Sequence, residues 1–188
     1  MAVRLVHGCP RRRKTACMSE QQWWQTDGEN NEGATKRDLW QPIAERVNGF
    51  DLDPAAGCEP TPIATDRYTE ADDGLTSPWY GTVWLNPPFD DKGTWYKRLV
   101  NQYRHGAVNG AVALATADVS TDWFHDWFST ADVITFLDGR DWYIENGDSP
   151  TFSTQVGVWN PTEELVEWLH TQGTVVEPQS DGKQATLF

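Results

Sequence analysis

The spacing of apolar residues along the chain alternates between the period of a helix and the period of a strand. Between residues 38 and 47, Leu39, Ile43 and Val47 fall on one helical face, provided that Pro42 lies in the opening turn. The run Asn160-Pro161-Thr162-Glu163 predicts the start of a second helix, with Asn160 as its N-cap. Two further helices are predicted at 94–103 and 122–128.

Short runs of apolar and β-branched residues between these helices predict strands. The predicted strands are 50–53, 82–85, 110–116, 133–137, 155–159 and 174–177. Between 53 and 82 the sequence consists mostly of residues typical of turns. Strands that alternate with helices predict an α/β fold, here with a mostly parallel sheet flanked by helices.

Two of the predicted strands end in distinctive loops. The strand 50–53 leads into Asp53-Pro54-Ala55-Ala56-Gly57, and the strand 82–85 leads into Asn86-Pro87-Pro88-Phe89. Ligands of α/β folds bind beyond the carboxyl ends of the strands. These two loops are therefore the predicted functional site.

The Asn-Pro-Pro-aromatic loop suits the activation of an amino group that is conjugated with a ring, such as that of adenine. Such a nitrogen is a poor nucleophile, and two acceptors aimed at its N–H bonds, the Asn86 oxygen and the Pro87 carbonyl, favour a more nucleophilic form. Proline holds the backbone in place, and Phe89 offers a face to a base turned out of its helix. The alternative is a rigid turn that follows a strand.

The net charge of the chain limits the kinds of partner that it is expected to bind. The chain has 188 residues, enough for one domain, and a formal net charge of -13 from 28 acidic and 15 basic residues. Proteins that bind nucleic acids normally carry a basic face, so this charge argues against phosphate binding in ordinary salt. In molar salt the screening length falls to roughly 3 Å, and repulsion from DNA nearly vanishes. The acid excess therefore predicts a halophilic source or, alternatively, a partner that is a small molecule or a protein.

The two ends of the chain differ from its middle. Residues 1–34 are predicted to form a disordered arm, 35–178 a single domain and 179–188 a flexible tail. Basic residues precede Met18, which makes 1–17 either a mis-assigned start or an arm that touches nucleic acid.

The spacing of the cysteines and the lack of a long apolar run argue against a zinc-binding, disulfide-stabilised or membrane-spanning protein. The chain has three cysteines, Cys9, Cys17 and Cys58, without the spacing of a zinc site or a disulfide framework. No apolar run approaches the ~20 residues of a membrane span. We therefore expect a soluble, cytoplasmic protein with no metal and no membrane partner.

Five segments follow one another in an order that carries a family resemblance. They are Phe50-Asp51-Leu52-Asp53-Pro54-Ala55-Ala56, then Asp72-Asp73-Gly74-Leu75 with Pro78-Trp79, then Gly81-Thr82-Val83-Trp84-Leu85-Asn86-Pro87-Pro88-Phe89, then Thr121-Asp122-Trp123-Phe124, then Gly139-Arg140. Over about 35–157 the chain resembles the phage-type, Dam-like DNA N6-adenine methyltransferases of viruses and proviruses. The resemblance implies a reduced Rossmann-like fold that uses S-adenosylmethionine and methylates adenine in DNA.

The same resemblance implies roles for individual residues. The adenine pocket would consist of Asn86, Pro87, Pro88 and Phe89; the cofactor site would consist of Asp53, Pro54, Ala55, Gly57 and Asp73, with Asp66 as a candidate for the ribose hydroxyls. The alternative for Asp72 and Asp73 is a solvated acidic turn, and the alternative for Asp53 is an Asp-Pro turn.

Contacts with DNA are expected between residues 117 and 153, because the chain has no room for a separate recognition domain. Arg140, Trp142 and Tyr143 are the predicted nucleic-acid contacts, whereas Trp123 and Trp127 are expected in the core.

The sequence departs from the family pattern at two points. Thr35 is followed by Lys36, where family members often carry Thr-Pro. Only 32 residues separate Asp53 from Asn86, which predicts an abbreviated cofactor half.

Other functions share the same chemistry or the same fold. An Asn-Pro-Pro-aromatic loop also suits methylation of RNA, of cytosine N4 or of a protein glutamine. A further alternative is a viral interaction protein that kept the fold without the activity.

Overall fold

The secondary structure follows the alternation expected from the sequence. A computed structural model describes residues 34–57, 63–139, 143–144 and 152–178. Its helices are α1 (Arg37–Arg46), α2 (Lys92–Arg104), α3 (Asp122–Asp126) and α4 (Glu163–Leu169), with short 3₁₀ helices at Phe89–Asp91 and Phe128–Thr130. Its strands are β1 (Ala34–Thr35), β2 (Phe50–Asp53), β3 (Ala64–Arg67), β4 (Gly81–Leu85), β5 (Val108–Thr116), β6 (Val133–Leu137), β7 (Tyr143–Ile144), β8 (Thr154–Trp159) and β9 (Gly173–Val176). Each predicted helix and strand is found.

Seven of these strands form a mixed sheet with the order β3-β2-β4-β5-β8-β6-β9. The strands β3, β2, β4 and β5 pair in parallel, whereas β8 is antiparallel to β5 and β6, and β9 is antiparallel to β6. The prediction of a mostly parallel sheet is therefore wrong. The reason is that β8 is buried along its whole length, and a fully buried strand carries no sign of its direction in its sequence.

Helices cover both faces of the sheet, as expected. The helices α1 and α4 pack on one face through Leu39, Ile43 and Leu165, while α2 packs on the other through Tyr96 and Leu99. Side chains of a strand point alternately to the two faces, and the pattern of β4 reflects this, since its buried residues divide between the two cores. Because helices cover both faces, a ligand site is expected at the ends of the strands.

Two local expectations are wrong. The strand β3 lies where only turns were expected; Ala64 is its single buried residue, so its sequence lacks the apolar alternation of a strand. Pro42 occupies the sixth position of α1, beyond the opening turn, where a proline removes one backbone hydrogen bond.

The start of α4 also differs from the expectation. Its N-cap is Thr162, whose hydroxyl accepts a hydrogen bond from the Leu165 amide at 3.2 Å. Asn160 has instead a left-handed backbone, with φ of 56°, and its side chain donates to the Asn109 carbonyl at 2.9 Å. The amide of Asn160 thus joins two strand ends rather than capping the helix.

Several expected features lie outside the described residues. They are residues 1–33 of the arm, the tail 179–188, all three cysteines, Arg140 and Trp142. The described structure includes the backbone of Tyr143, in β7.

Candidate active site

The two loops predicted as the site begin side by side. The strands β2 and β4 are parallel neighbours, with Leu52 opposite Val83. Asp53, the last residue of β2, and Asn86, which directly follows β4, therefore lie at the same edge of the sheet. The strand β3 lies on the other side of β2, so the chain reverses its direction of progress across the sheet at this point. Such a reversal opens a crevice at the carboxyl ends of the strands, the usual ligand position in this class of fold.

The loop after β2 is held by hydrogen bonds on both sides. Asp53 is buried, with 4% of its surface exposed, and one of its carboxylate oxygens accepts from the Ala55 amide at 3.1 Å. The backbone of Tyr68, just beyond β3, bonds to Asp53 and to Ala56 at 2.9 and 3.1 Å. Gly57 ends the loop in a left-handed conformation, with φ of 52°. The predicted cofactor loop is therefore rigid and anchored to its neighbouring strand.

A second turn, residues 73–77, packs against this loop. A Cβ atom at Gly74 would overlap the Pro54 carbonyl oxygen, so the two backbones are in direct contact. The indole of Trp79 donates to the Gly74 carbonyl at 2.8 Å, and the Asp73 carbonyl accepts from two amides of its own turn at 3.0 Å. Asp73, whose side chain is exposed, directly precedes Gly74 and therefore lies next to this backbone contact.

Asp72, beside that turn, carries a structural role. The backbone amide and the hydroxyl of Thr69 donate to its carboxylate at 2.9 and 2.8 Å, and these bonds lower the pKa of Asp72. The carboxylate of Asp72 therefore holds this turn closed.

Asp66 is placed differently from the other predicted cofactor residues. It lies on the exposed side of β3, and its carboxylate accepts a hydrogen bond of 2.6 Å from the Tyr80 hydroxyl. This bond is the main cause that raises the pKa of Tyr80 to about 12. Tyr80 immediately precedes β4, so Asp66 is tied to the segment that enters the sheet rather than to the loops that leave it.

Asn86 is oriented by a residue from the start of the chain. Its side-chain nitrogen donates to the Thr35 hydroxyl at 3.2 Å, across 51 positions of sequence. Thr35 is buried, with 4% of its surface exposed, and its backbone pairs with Tyr143 of β7. Because the nitrogen is bound by Thr35, the oxygen of the Asn86 amide points away from it. The backbone of Tyr143 is also placed beside the pocket by this pairing.

The aromatic residue of the loop contacts both a cation and another aromatic ring. Phe89 meets Phe152 in an edge contact, with ring centroids 5.6 Å apart. The ammonium group of Lys92 lies 4.7 Å from the centroid of the Phe89 ring and donates to the Thr116 hydroxyl at 2.9 Å. Burial lowers the pKa of Lys92, while Asp118 and Asp90 act in the opposite direction.

Buried polar groups continue from this point along the end of β5. Gln155 is fully buried, and its side-chain nitrogen donates to the Thr116 carbonyl at 3.1 Å. Within the described structure, the other end of that amide and the hydroxyl of Thr154 have no hydrogen-bond partner. Buried polar groups therefore lie next to Thr116, the residue that binds Lys92.

The sequence interpretation missed Thr35, Lys92 and Phe152 as neighbours of the pocket. Lys92 lies three positions after Phe89, a spacing that a helix brings onto one side, and this was the available signal. No local signal marks Thr35 or Phe152, because only the tertiary fold brings them to the loop. Trp123 and Trp127 pack against the core under α2, as expected.

Neither a candidate metal site nor a membrane-spanning helix is found in the described ranges. No group of three or more His, Cys, Asp or Glu side chains could hold a metal ion there. No helix of these ranges is long and apolar enough to cross a membrane.

Comparison with known proteins identifies a family that matches most of the chain. The family described as DNA N-6-adenine-methyltransferase (Dam) matches residues 21–157, a range that includes every predicted site residue. The DNA N-6-adenine-methyltransferase of Escherichia phage T1 is 30% identical, in an alignment that covers 64% of this chain and 56% of the phage protein. The chain thus spans little more than half the length of that relative.

Proposed function

Because the chain belongs to the DNA N-6-adenine-methyltransferase (Dam) family, we propose that it transfers a methyl group from S-adenosylmethionine to the N6 atom of adenine in DNA. One observation carries the proposal: Asn86 lies at the switch point of the sheet, beside the buried loop of Asp53, with its amide oriented by Thr35. The family supplies the reaction, and the pocket residues supply a way to perform it.

The pocket residues act on the amino group of the target base. The Asn86 oxygen and the Pro87 carbonyl accept its two N–H bonds, so the nitrogen lone pair is withdrawn from the ring and directed at the methyl donor. Pro87 is buried, and Pro88 has φ of -52°, so the carbonyl between them is held in one direction. The lone pair would form the new N–C bond as the C–S bond of the donor breaks, the sulfur would leave with that electron pair as a neutral thioether, and the surplus proton would pass to water.

Phe89 provides the surface for the adenine ring. Enzymes that modify a base in duplex DNA extrude it, at a cost of a few kcal/mol, and recover part of this cost by stacking. Phe89 is partly buried at the mouth of the crevice, next to Asn86 in the same loop, so a stacked base presents its edge to the acceptors.

The loop after β2 has the chemistry that S-adenosylmethionine requires. Its methionine part carries an ammonium group and a positively charged sulfur, which carboxylates attract. The buried Asp53 directly precedes Pro54, and the exposed Asp73 directly precedes Gly74, whose backbone contacts Pro54. Ala55 and Gly57 keep the loop free of large side chains. When bound there, the cofactor would supply an electrophilic methyl group, which needs only in-line placement about 3–3.5 Å from the nitrogen.

The test is transfer of labelled methyl groups to unmethylated DNA of mixed sequence, at low and at molar KCl, followed by nucleoside analysis. We expect N6-methyladenine from the wild type and a loss of at least about 100-fold in Asn86→Ala, since one polarising group is typically worth about 10²–10³ in rate. Asn86→Asp is the matched control, because a carboxylate keeps an acceptor at the same place. It should retain measurable activity.

Each other result identifies a different function. Methylated cytosine, RNA or protein glutamine, with the same dependence on Asn86, would keep the chemistry and overturn the substrate. No transfer to any acceptor, together with no thermal stabilisation by S-adenosylmethionine, would overturn the enzyme and leave an interaction protein.

A further inference from the structure

Lys92 is a cation at the mouth of the pocket that the proposed reaction does not use. It is the first residue of α2 and is half-buried. Its ammonium group lies 4.7 Å from the centroid of Phe89 and 5.8 Å from the ring of Trp123, and it donates to the Thr116 hydroxyl at 2.9 Å. Two aromatic faces and one hydroxyl contact the ammonium group, and the carboxylates of Asp118 and Asp90 act on it electrostatically; none of these partners is a backbone acceptor that holds it in one place.

Two arginines of the described ranges are more firmly bound within the fold. Arg46 donates to the Pro42 carbonyl at 2.8 Å and lies over Trp168, and Arg98 donates to the Ser77 carbonyl at 2.6 Å and lies over Trp79. Both donate to backbone carbonyls, whereas the hydrogen bond of Lys92 goes to a hydroxyl that can rotate, and the carboxylates of Asp118 and Asp90 attract its charge. An ammonium group has three donors, and this contact uses one of them.

The present position of Lys92 conflicts with a base stacked on the same face of Phe89. Stacked rings approach to about 3.5–4 Å, the contact distance of carbon atoms. An ammonium group 4.7 Å above the ring centre therefore stands in the volume that the base would fill. If the base stacks on this face, Lys92 has to move, and its flexible stem allows it to do so.

We propose that Lys92 gives up its place over Phe89 to the extruded adenine and binds a phosphate of the target strand beside that nucleotide. A lysine ammonium is a donor-only point charge, and phosphate oxygen is its usual partner in nucleic acids. The chain carries a net charge of -13, so affinity for the backbone has to come from local contacts at the site rather than from a broad basic face. The inference rests on the proposed function and adds to it a contact that positions the strand.

The test compares Lys92→Met and Lys92→Arg with Lys97→Met. Lys97 is a suitable control because it lies on the same helix, is exposed and also approaches an aromatic ring, that of Trp127 at 5.7 Å. For each variant, kcat and KM for unmethylated duplex DNA of mixed sequence are measured over a series of KCl concentrations, together with the KM for S-adenosylmethionine.

We expect Lys92→Met to lower kcat/KM for DNA by about tenfold or more, as for loss of a hydrogen bond to a charged group, with KM for S-adenosylmethionine unchanged. The slope of log(kcat/KM) against log[KCl] should become shallower by about 0.9, the value for one phosphate contact on duplex DNA. Lys92→Arg should keep the wild-type slope, and Lys97→Met should match the wild type in both quantities.

Two results would overturn the inference while the proposed function stands. One is an unchanged salt slope in Lys92→Met, whether or not kcat falls, since a lysine that only supports Phe89 binds no phosphate. The other is an equal change of slope in Lys97→Met, which would indicate a general charge effect. Absence of N6-methyladenine from the wild-type reaction would be recognised separately, as failure of the proposed function itself.

Discussion

At the scale of single residues, a hydrogen bond between distant parts of the chain contacts the side chain of the predicted pocket residue Asn86. Thr35 lies before the first helix and Asn86 after the fourth strand, yet the hydroxyl of the first accepts from the amide of the second at 3.2 Å. An amide that is free to turn presents nitrogen and oxygen equally well, so it is a poor acceptor for a defined N–H bond. The contact with Thr35 therefore selects the orientation that the proposed reaction needs.

Substitution of Thr35 by valine tests this orientation. Thr35→Val keeps the shape and removes the acceptor, so we expect kcat to fall about five- to tenfold, the worth of one ordinary hydrogen bond, with little change in KM for S-adenosylmethionine. Steady-state kinetics and a thermal melt measure the two effects. Thr35→Ser should restore the rate, and a Thr35→Val enzyme as fast as the wild type would show that Asn86 is oriented by other contacts.

At the scale of elements, two loops from neighbouring strands support each other. The turn 73–77 precedes β4 and touches the loop after β2 through the backbones of Gly74 and Pro54. Because no side chain fits between the two backbones, the turn limits where Pro54 can lie. The loop after β2, the predicted cofactor loop, is thus positioned partly by residues that do not belong to it.

Substitution of Gly74 by alanine should displace this pair of loops. The added Cβ would overlap the Pro54 carbonyl oxygen, and backbone shifts of this kind typically cost about 1–3 kcal/mol. We expect a lower melting temperature and, by calorimetry, weaker binding of S-adenosylmethionine. Gly93→Ala is the control, because its Cβ would lie 3.4 Å from the Trp123 Cβ, an ordinary contact in a helix. Unchanged cofactor affinity in Gly74→Ala would separate the turn from the cofactor site.

At the scale of the whole molecule, the acidic charge sets the conditions for stability. A net charge of -13 on 188 residues destabilises the compact state through self-repulsion, and salt screens that repulsion. The screening length falls from about 10 Å at 0.1 M salt to about 3 Å at 1 M. The charge is therefore compatible with DNA binding in a concentrated electrolyte, where long-range repulsion from phosphates is weak.

Melting temperatures in KCl check the halophilic hypothesis. Between 0.1 and 3 M KCl we expect stabilisation of about 2 kcal/mol, which raises Tm by roughly 4–8 °C for a chain of this size. Sucrose at matched osmolality is the control, since an uncharged solute favours compactness without screening. Equal stabilisation by sucrose and KCl would contradict the electrostatic explanation.

Strands with a clear pattern of apolar residues could be predicted from the sequence. An exposed edge strand and the direction of a fully buried strand could not. The strands β2 and β6 were expected at their observed bounds, because their apolar residues are bounded by clear turn signals. The edge strand β3 was missed, since three of its four residues are exposed. The antiparallel direction of β8 was missed because a strand buried throughout is read alike in both directions.

The amino-acid sequence by itself determined the α/β class, the strand that precedes each functional loop and the chemical groups of Asn86, Pro87 and Phe89. These properties are local, since they depend on the period of apolar residues and on the chemistry of adjacent side chains. Only the tertiary structure decided that the two loops adjoin, that Thr35 orients Asn86 and that Lys92 lies over Phe89. Contacts between residues far apart in the chain arise from packing, and no local pattern of side chains encodes them.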